Sequence, residues 1–388
     1  METCRPLIID LAVGYGGSSS RVLGILRALA DQGAALAGLD QGAVVLAAQK
    51  EGLPVYTVGA KKTDPRIVSR LVHLIREKDF QVLDTQNIQS KFWGSLAAGI
   101  TNTSLVSTIN SWYASEHGQS SGKDRLKGRM YTALELFTNR NLDLYITVSE
   151  KDRQALMKSG IPSQSIELIY NAVSFDDSQI SSDPDGLRKK FNLPPQSLIC
   201  TAVGRLVPVK GYDLLIEAVR QVAAQIPQLY CLIVGEGECM EELSNQIKDA
   251  GLQDRVLLTG YQDRNNVMPI LKSSDIFAMP SRYEGTPIAL LEAAAMGLPI
   301  IAAAAGGIPE LVTNQEHALL VEPNNPVALA EGLRKLCSDL KFAQKLGDNA
   351  QQRVRTVFNM DTQIQNTFHA YQKALDRHDA KRKKITSK

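Results

Sequence analysis

Short apolar runs alternate with longer segments of helical period along most of this chain, and that alternation constrains the fold more than any other feature. The runs lie at 7–13, 82–84, 105–109, 144–148, 166–169, 198–203, 230–234, 256–259, 276–279 and 300–302. Most are rich in Val, Ile and Leu without strict apolar–polar alternation, which is how strands covered on both faces of a parallel sheet read. Helical patterns such as 21–32 and 213–224 fill the intervals. A repeating strand–helix order means an α/β architecture. With 388 residues the chain has the length of two domains.

The break between them falls at 176–186, DDSQISSDPDG, which is polar and has no periodic apolar positions. This gives an N-terminal domain at 1–176, a linker at 177–186 and a C-terminal domain at 187–360. A helical pattern with Ile364, Phe368 and Tyr371 on one stripe follows at 361–378. The run Lys381-Arg382-Lys383-Lys384 then marks 379–388 as a disordered basic tail, with an anionic membrane surface as the alternative reading.

Bulk composition excludes several function classes. A net charge of +2 gives no support for a nucleic-acid partner. The cysteines number 5, an odd count with no CxxC pair, which fits reduced thiols and argues against a disulfide framework or a structural zinc. The longest uncharged run, 293–309, is broken by glycines and prolines and is too short to span a membrane. The expected location is cytoplasmic, with peripheral contact at the inner face of a membrane as an option.

The strongest chemical signal is Ser281-Arg282-Tyr283-Glu284-Gly285-Thr286-Pro287, followed by a helical pattern containing Glu292. Thr286 is a good N-cap and Pro287 suits the first helical position. The helix N-terminus then points its free N–H groups toward the carboxyl end of a parallel sheet, where an anion such as a diphosphate is favoured. Glu284 ahead of the helix and Glu292 within it can accept hydroxyl hydrogen bonds at opposite ends of one elongated ligand. A second segment, 204–211, follows the run at 198–203; its Arg205 and Lys210 supply positive charge, and Asp213 is placed to cap the next helix. Gly204 and Gly235 follow strands, where glycine allows backbone to approach a ligand. Tyr261 offers a ring to a nucleobase.

The segments GRLVPVKG, VGEGE, LTGY and SRYEGTPIALLEAAAMGLPIIAAAAGGIPELV resemble the donor domain of the retaining glycosyltransferases of family 4. The resemblance covers nearly the whole chain and is most specific from Val203 to Val312. It implies the GT-B fold: two facing Rossmann-like domains with parallel sheets, an interdomain cleft, and a final helix crossing back to the N-terminal domain. It further implies that Arg205 and Lys210 bind the donor diphosphate, that Glu284 contacts the transferred sugar, and that Glu292 binds the ribose. Gly285, Thr286 and Pro287 would line the donor site. Thr286 stands where the family often has a bulky apolar residue.

On the N-terminal side, Gly16, Gly17 and Arg21 resemble the family's GG…R element, with Gly17 on the donor side and Gly16 and Arg21 facing the acceptor. Gln86, Asn87, Asn110, Trp112 and His117 are the other acceptor-side candidates. Many relatives have His where this chain has Gln86 and Asn110, and neither substitute titrates near neutral pH. Front-face retention needs no such base, because the leaving phosphate takes the acceptor proton. The implied activity is transfer of a hexose from a nucleotide diphosphate sugar, UDP- or GDP-linked, to a glycan, lipid-linked or small-molecule acceptor, with no metal and no further cofactor. A nucleotide-sugar epimerase of the same fold is disfavoured by the lack of acid–base His and carboxylate pairs in the N-terminal loops. A non-catalytic sugar-nucleotide-binding subunit is favoured only by the two lost histidines.

Overall fold

The computed structural model describes residues 4–111, 133, 138–174 and 180–386. The strands are β1 (Pro6–Asp10), β2 (Ala35–Leu39), β3 (Val55–Gly59), β4 (Val82–Thr85), β5 (Ser104–Ile109), β6 (Leu144–Thr147) and β7 (Ile166–Leu168), then β8 (Leu198–Val203), β9 (Leu229–Val234), β10 (Val256–Leu258), β11 (Ile276–Met279), β12 (Ile300–Ala303) and β13 (Leu319–Val321). The first sheet has the order β3-β2-β1-β4-β5-β6-β7 and the second β10-β9-β8-β11-β12-β13. Every pairing between these strands is parallel.

β2, β3 and β13 were not among the expected strands. β2 reads ALAGL, poor in the β-branched residues that mark strands, and β13 is a three-residue edge. β1 ends at Asp10 instead of running to Val13. The Asp10 carboxylate accepts from the Ala12 N–H at 2.9 Å, turning the chain, and Val13 is 64% exposed.

The chain forms two compact units, one of Met1–Asn171 with Met360–Lys388 and the other of Ala172–Asn359. In the first, apolar side chains pack on both faces of the sheet. One face carries Ile8, Val82 and Val106 with Ala370, Tyr371 and Ala374 of the last helix; the other carries Leu7, Ile9 and Leu83 with Ile67 and Leu71. In the second, Cys200, Cys231 and Ile301 pack against Leu215, Val219, Leu329 and Leu333. No helix among the described residues is long and apolar enough to cross a membrane.

Two boundary expectations are corrected. The end of the expected linker belongs to the second unit. Ser182 Oγ donates to the Lys272 carbonyl at 3.1 Å and the Asp183 N–H to Ser273 Oγ at 2.9 Å. Asp183 also caps the helix Pro184–Lys190, accepting from the Gly186 N–H at 2.8 Å. Residues 177–179 of that linker lie outside the described residues. The basic tail is helical: the helix Met360–Thr386 continues through most of it. Lys381 Nζ fixes this end by donating to the Leu142 carbonyl and the Asp143 carboxylate, both at 2.7 Å.

The last helix also supplies partners to buried charge. Tyr371 Oη donates to Asp84 Oδ2 at 2.6 Å and Thr108 Oγ1 to Asp84 Oδ1 at 2.7 Å. Burial pushes the Asp84 carboxyl above its usual range, and these hydrogen bonds pull against that rise. Near the other end, His378 places Nδ1 3.1 Å from Asp143 Oδ2 and Nε2 3.1 Å from the Asn102 carbonyl. Both ring nitrogens face acceptors, so only the imidazolium satisfies both. The bond to Asp143 raises the His378 pKa, with burial and Arg382 opposing. Burial would raise Asp143, but hydrogen bonds from His378 and Lys381 outweigh it and hold it low.

A histidine raised in the folded state stabilises fully below its unfolded value, and that contribution is lost as pH rises through the folded value. The thermal advantage of wild type over His378→Ala is therefore larger at about pH 5.5 than at about pH 9, either side of the ordinary histidine pKa. Equal differences in melting temperature at the two pH values would reject the imidazolium assignment.

Candidate active site

In the second sheet the strand order reverses between β8 and β11, and crevices outside the carboxyl ends at such a switch point are where open α/β sheets bind ligands. The loop 204–211 leaves β8 and the loop 280–287 leaves β11, so the two segments singled out by their chemistry flank this point. Lys210 Nζ lies 2.6 Å from Glu284 Oε1, and Ser281 Oγ donates to the same oxygen at 2.6 Å. Glu284 is 8% exposed, and a carboxylate buried to that degree requires such partners. Arg205 is exposed on the same loop, and its guanidinium has no hydrogen-bond or ion-pair partner among the described residues.

The Glu284 backbone is held from β12. The Gly307 N–H donates to the Glu284 carbonyl at 2.9 Å. Gly306 has φ +60, and a Cβ there would fall 1.9 Å from that carbonyl oxygen. Only glycine fits this turn, and the sequence reading assigned it no role. A Cβ on Gly235 would meet backbone, 2.0 Å from the Gly204 carbonyl oxygen, and one on Gly204 would lie 2.7 Å from Tyr212 Oη. The missing side chain at Gly235 lets the two loops pack backbone to backbone. Tyr261 is 56% exposed.

The helix after the Glu284 loop is Ile288–Ala295, and its N-cap is Pro287, with φ −69 and ψ 114. Thr286 was expected to cap and Pro287 to begin the helix. The extended ψ at Pro287 moves the start one residue on, and no side chain caps it. The first intrahelical bond runs from the Leu291 N–H to the Pro287 carbonyl at 3.3 Å, so the N–H groups of Ile288, Ala289 and Leu290 have no acceptor within the helix. Gly285 and Thr286 are buried beside this opening. Glu292 is 7% exposed, and Arg264 Nη2 sits 3.2 Å from its Oε1. Burial raises the Glu292 pKa and Arg264 opposes the rise. Arg264 opens the helix Arg264–Lys272; the sequence held no signal for it, because its partner is on another helix.

Asp213 was expected to cap the helix Tyr212–Val222, but the N-cap is Gly211. The Asp213 carboxylate is taken instead by Arg282, whose Nη1 and Nη2 reach its two oxygens at 2.8 and 2.6 Å.

In the first sheet the order reverses between β1 and β4. Gly16 caps the helix Gly17–Leu29, and a Cβ on Gly16 would meet nothing within 4 Å. Arg21 does not face this edge. It is 1% exposed, its Nη1 donates to the Ile169 carbonyl at 3.2 Å and to Asn171 Oδ1 at 3.1 Å, and burial lowers its pKa. Asn87 is a cap: its Oδ1 accepts from the Ser90 N–H at 2.9 Å and its Nδ2 donates to Asp10 Oδ1 at 2.8 Å. Gln86 and Asn110 do come together, Asn110 Nδ2 donating to the Gln86 carbonyl at 3.1 Å. Gln86 Nε2, Asn110 Oδ1 and Asp10 Oδ2 are buried without partners. Asp10, whose pKa burial raises, was missed because it reads as an interruption of an apolar run. Trp112 and His117 lie outside the described residues. Among the described residues no group of three or more His, Cys, Asp or Glu is placed to hold a metal ion.

Two doubly wound parallel sheets in one chain, with the last helix returned to the first unit, are the architecture of the GT-B fold. Residues 184–353 match the family model of the glycosyl transferases group 1, and residues 15–177 match that of glycosyltransferase family 4. The chain is 28% identical over 313 residues to the Escherichia coli UDP-Gal:alpha-D-GlcNAc-diphosphoundecaprenol alpha-1,3-galactosyltransferase, covering 79% of each. It is 28% identical over 313 residues to the GDP-mannose-dependent alpha-(1-6)-phosphatidylinositol monomannoside mannosyltransferase of Mycolicibacterium smegmatis, covering 75% of this chain and 78% of that one. The fold superposes on Anabaena HepE in complex with UDP and glucose, with a TM-score of 0.83 at 23% identity, over 94% of this chain and 98% of that one. On WaaG, a glycosyltransferase of lipopolysaccharide biosynthesis, the TM-score is 0.73 at 18% identity, over 94% and 98%. The chain belongs to the family 4-type glycosyltransferases.

The Gly306 turn gives a direct check on this geometry. Gly306→Ala forces a Cβ into the Glu284 carbonyl at positive φ and lowers unfolding free energy by more than about 1 kcal/mol in urea titration. Gly16→Ala, at an extended φ with open space around it, stays within about 0.5 kcal/mol of wild type. Equal stabilities would show that the Gly306 contact is not a constraint.

Proposed function

We propose that this enzyme transfers a hexose from a nucleotide diphosphate sugar, UDP- or GDP-linked, to a lipid-linked or glycan acceptor, with retention at the anomeric carbon. The observation that carries this reading is the Lys210–Glu284 contact at the β8/β11 switch point. It pairs a cation suited to a leaving diphosphate with a carboxylate suited to a sugar hydroxyl. The names of the two curated relatives support it: one uses UDP-galactose and the other GDP-mannose, both act on lipid-borne acceptors, and both form alpha linkages.

In the reaction the bond from the anomeric carbon to the diphosphate oxygen breaks, and a bond to the acceptor oxygen forms on the same face. The acceptor proton passes to the leaving phosphate oxygen. Arg205, Lys210 and the uncapped N–H groups at the start of the helix Ile288–Ala295 stabilise the charge on that diphosphate, which is electrostatic catalysis by preorganised donors. Glu284 orients the sugar and Glu292 accepts from the ribose hydroxyls. Gln86 and Asn110 offer hydrogen bonds on the acceptor side without titrating. The chemistry calls for no metal, so transfer persists in excess EDTA.

A melting-temperature screen against nucleotide sugars identifies the donor, because a ligand that binds only the native state raises the transition. Product analysis by NMR with that donor then gives the anomeric configuration, and inversion would overturn the retaining assignment. Glu292→Gln keeps the side-chain shape but removes the charge, and weakens nucleotide binding in calorimetry by about 1–3 kcal/mol. Lys210→Ala lowers kcat by about 100- to 1,000-fold, the range for losing one preorganised donor. Unchanged nucleotide affinity in the first variant, or unchanged kcat in the second, removes that residue from the site.

A further inference from the structure

Arg282 lies two residues before Glu284, and its side chain reaches the loop that carries Lys210. Its guanidinium makes a bidentate fork on Asp213, Nη1 to Oδ1 at 2.8 Å and Nη2 to Oδ2 at 2.6 Å. Nη1 also donates to the Pro208 carbonyl at 2.6 Å. The Arg282 backbone N–H donates to the Val209 carbonyl at 2.7 Å. On the same face, the Gly211 Cα packs so tightly on Pro280 that a Cβ there would lie 2.3 Å from its carbonyl oxygen. The segment 208–213 is therefore tied to 280–282 on both sides of Lys210, and Lys210 itself closes the arrangement on Glu284.

From this geometry we infer that Arg282, acting through Asp213 and the Pro208 carbonyl, is the positioning residue that sets Lys210 against Glu284 across the switch point. It takes no part in the chemistry and touches no substrate. The inference rests on the donor-site reading above and adds a residue that the reading does not need.

A purely structural ion pair makes a different prediction. The Arg282 and Asp213 side chains are 25% and 42% exposed, and partly exposed pairs contribute little to stability. Positioning, by contrast, is expensive to lose: a displacement of about 1 Å at a reacting group can cost roughly 100-fold in rate. Lysine cannot replace the arginine, because an ammonium is a point charge and cannot span both carboxylate oxygens and the carbonyl.

The test compares Arg282→Met, Arg282→Lys, Asp213→Asn and the Arg282→Met/Asp213→Asn double variant with wild type. All four are expected to melt within a few degrees of wild type. Each lowers kcat by about 10- to 100-fold and changes the acceptor KM less than about threefold. The double variant falls no further than the worse single variant, because both remove one device. Hydrogen exchange read by mass spectrometry rises in peptides covering 208–213 and is unchanged in β8 and β11. Asp213→Asn approaches the clamp from the other side, so the comparison survives if Arg282→Met fails to fold. Wild-type kcat in Arg282→Met, or exchange at 208–213 that does not change, overturns the inference. The exchange measurement needs no substrate: a wild-type enzyme without nucleotide affinity rejects the donor-site reading, and the exchange result still decides the role of Arg282.

Discussion

Parallel pairing is the constraint on which everything else here depends. A parallel neighbour can be reached only by a crossover, so the segments leaving the carboxyl ends of the strands collect on one edge of each sheet. In the second unit this gathers 204–211, 235–239, 280–287 and 304–307 at one place although they span a hundred residues of chain. The edge they form is dense backbone. The Gly235 Cα packs on the Gly204 carbonyl, Gly237 on that of Leu206, and Gly306 on that of Glu284. Lys210, Arg282 and Glu284 rise from these interlocked loops.

The two glutamates that first marked the site differ in how they are held. One oxygen of Glu284 accepts from both Lys210 and Ser281, with Gly306 and Gly307 against its backbone. Glu292 rides on a helix and meets a single cation, Arg264, at 3.2 Å. Burial raises the pKa of Glu292, and a group so placed is receptive to further hydrogen-bond donors that favour its charged form.

What was legible in the sequence followed from local rules. Strands buried on both faces, the Glu284–Glu292 spacing and the cations after β8 all announce themselves within a few residues. What was hidden depended on partners far along the chain. Arg264 meets Glu292, Arg282 meets Asp213, and no local pattern encodes either contact. Arg21 was placed on the acceptor side by its likeness to the family's GG…R element; its helical phase turns it inward, toward Asn171. Cap positions slipped by one or two residues where proline or glycine carried the turn in place of a side chain, at Pro287 and Gly211. The apolar stripe of the last helix was visible, but its continuation through a basic run was not, since Lys381 needs Asp143 to explain it.

The Tyr371–Asp84 bond has a consequence for biosynthesis. Asp84 lies in the fourth strand, and the hydroxyl that satisfies its Oδ2 arrives 287 residues later. Domains ordinarily close in the order they leave the ribosome. Here the first unit stays incomplete, with a carboxylate facing an unfilled interior, until the final helix has been released, whereas the second unit is one uninterrupted stretch of chain. The segment made first is thus finished last, and a ribosome that stops short of residue 371 leaves the older half of the protein open.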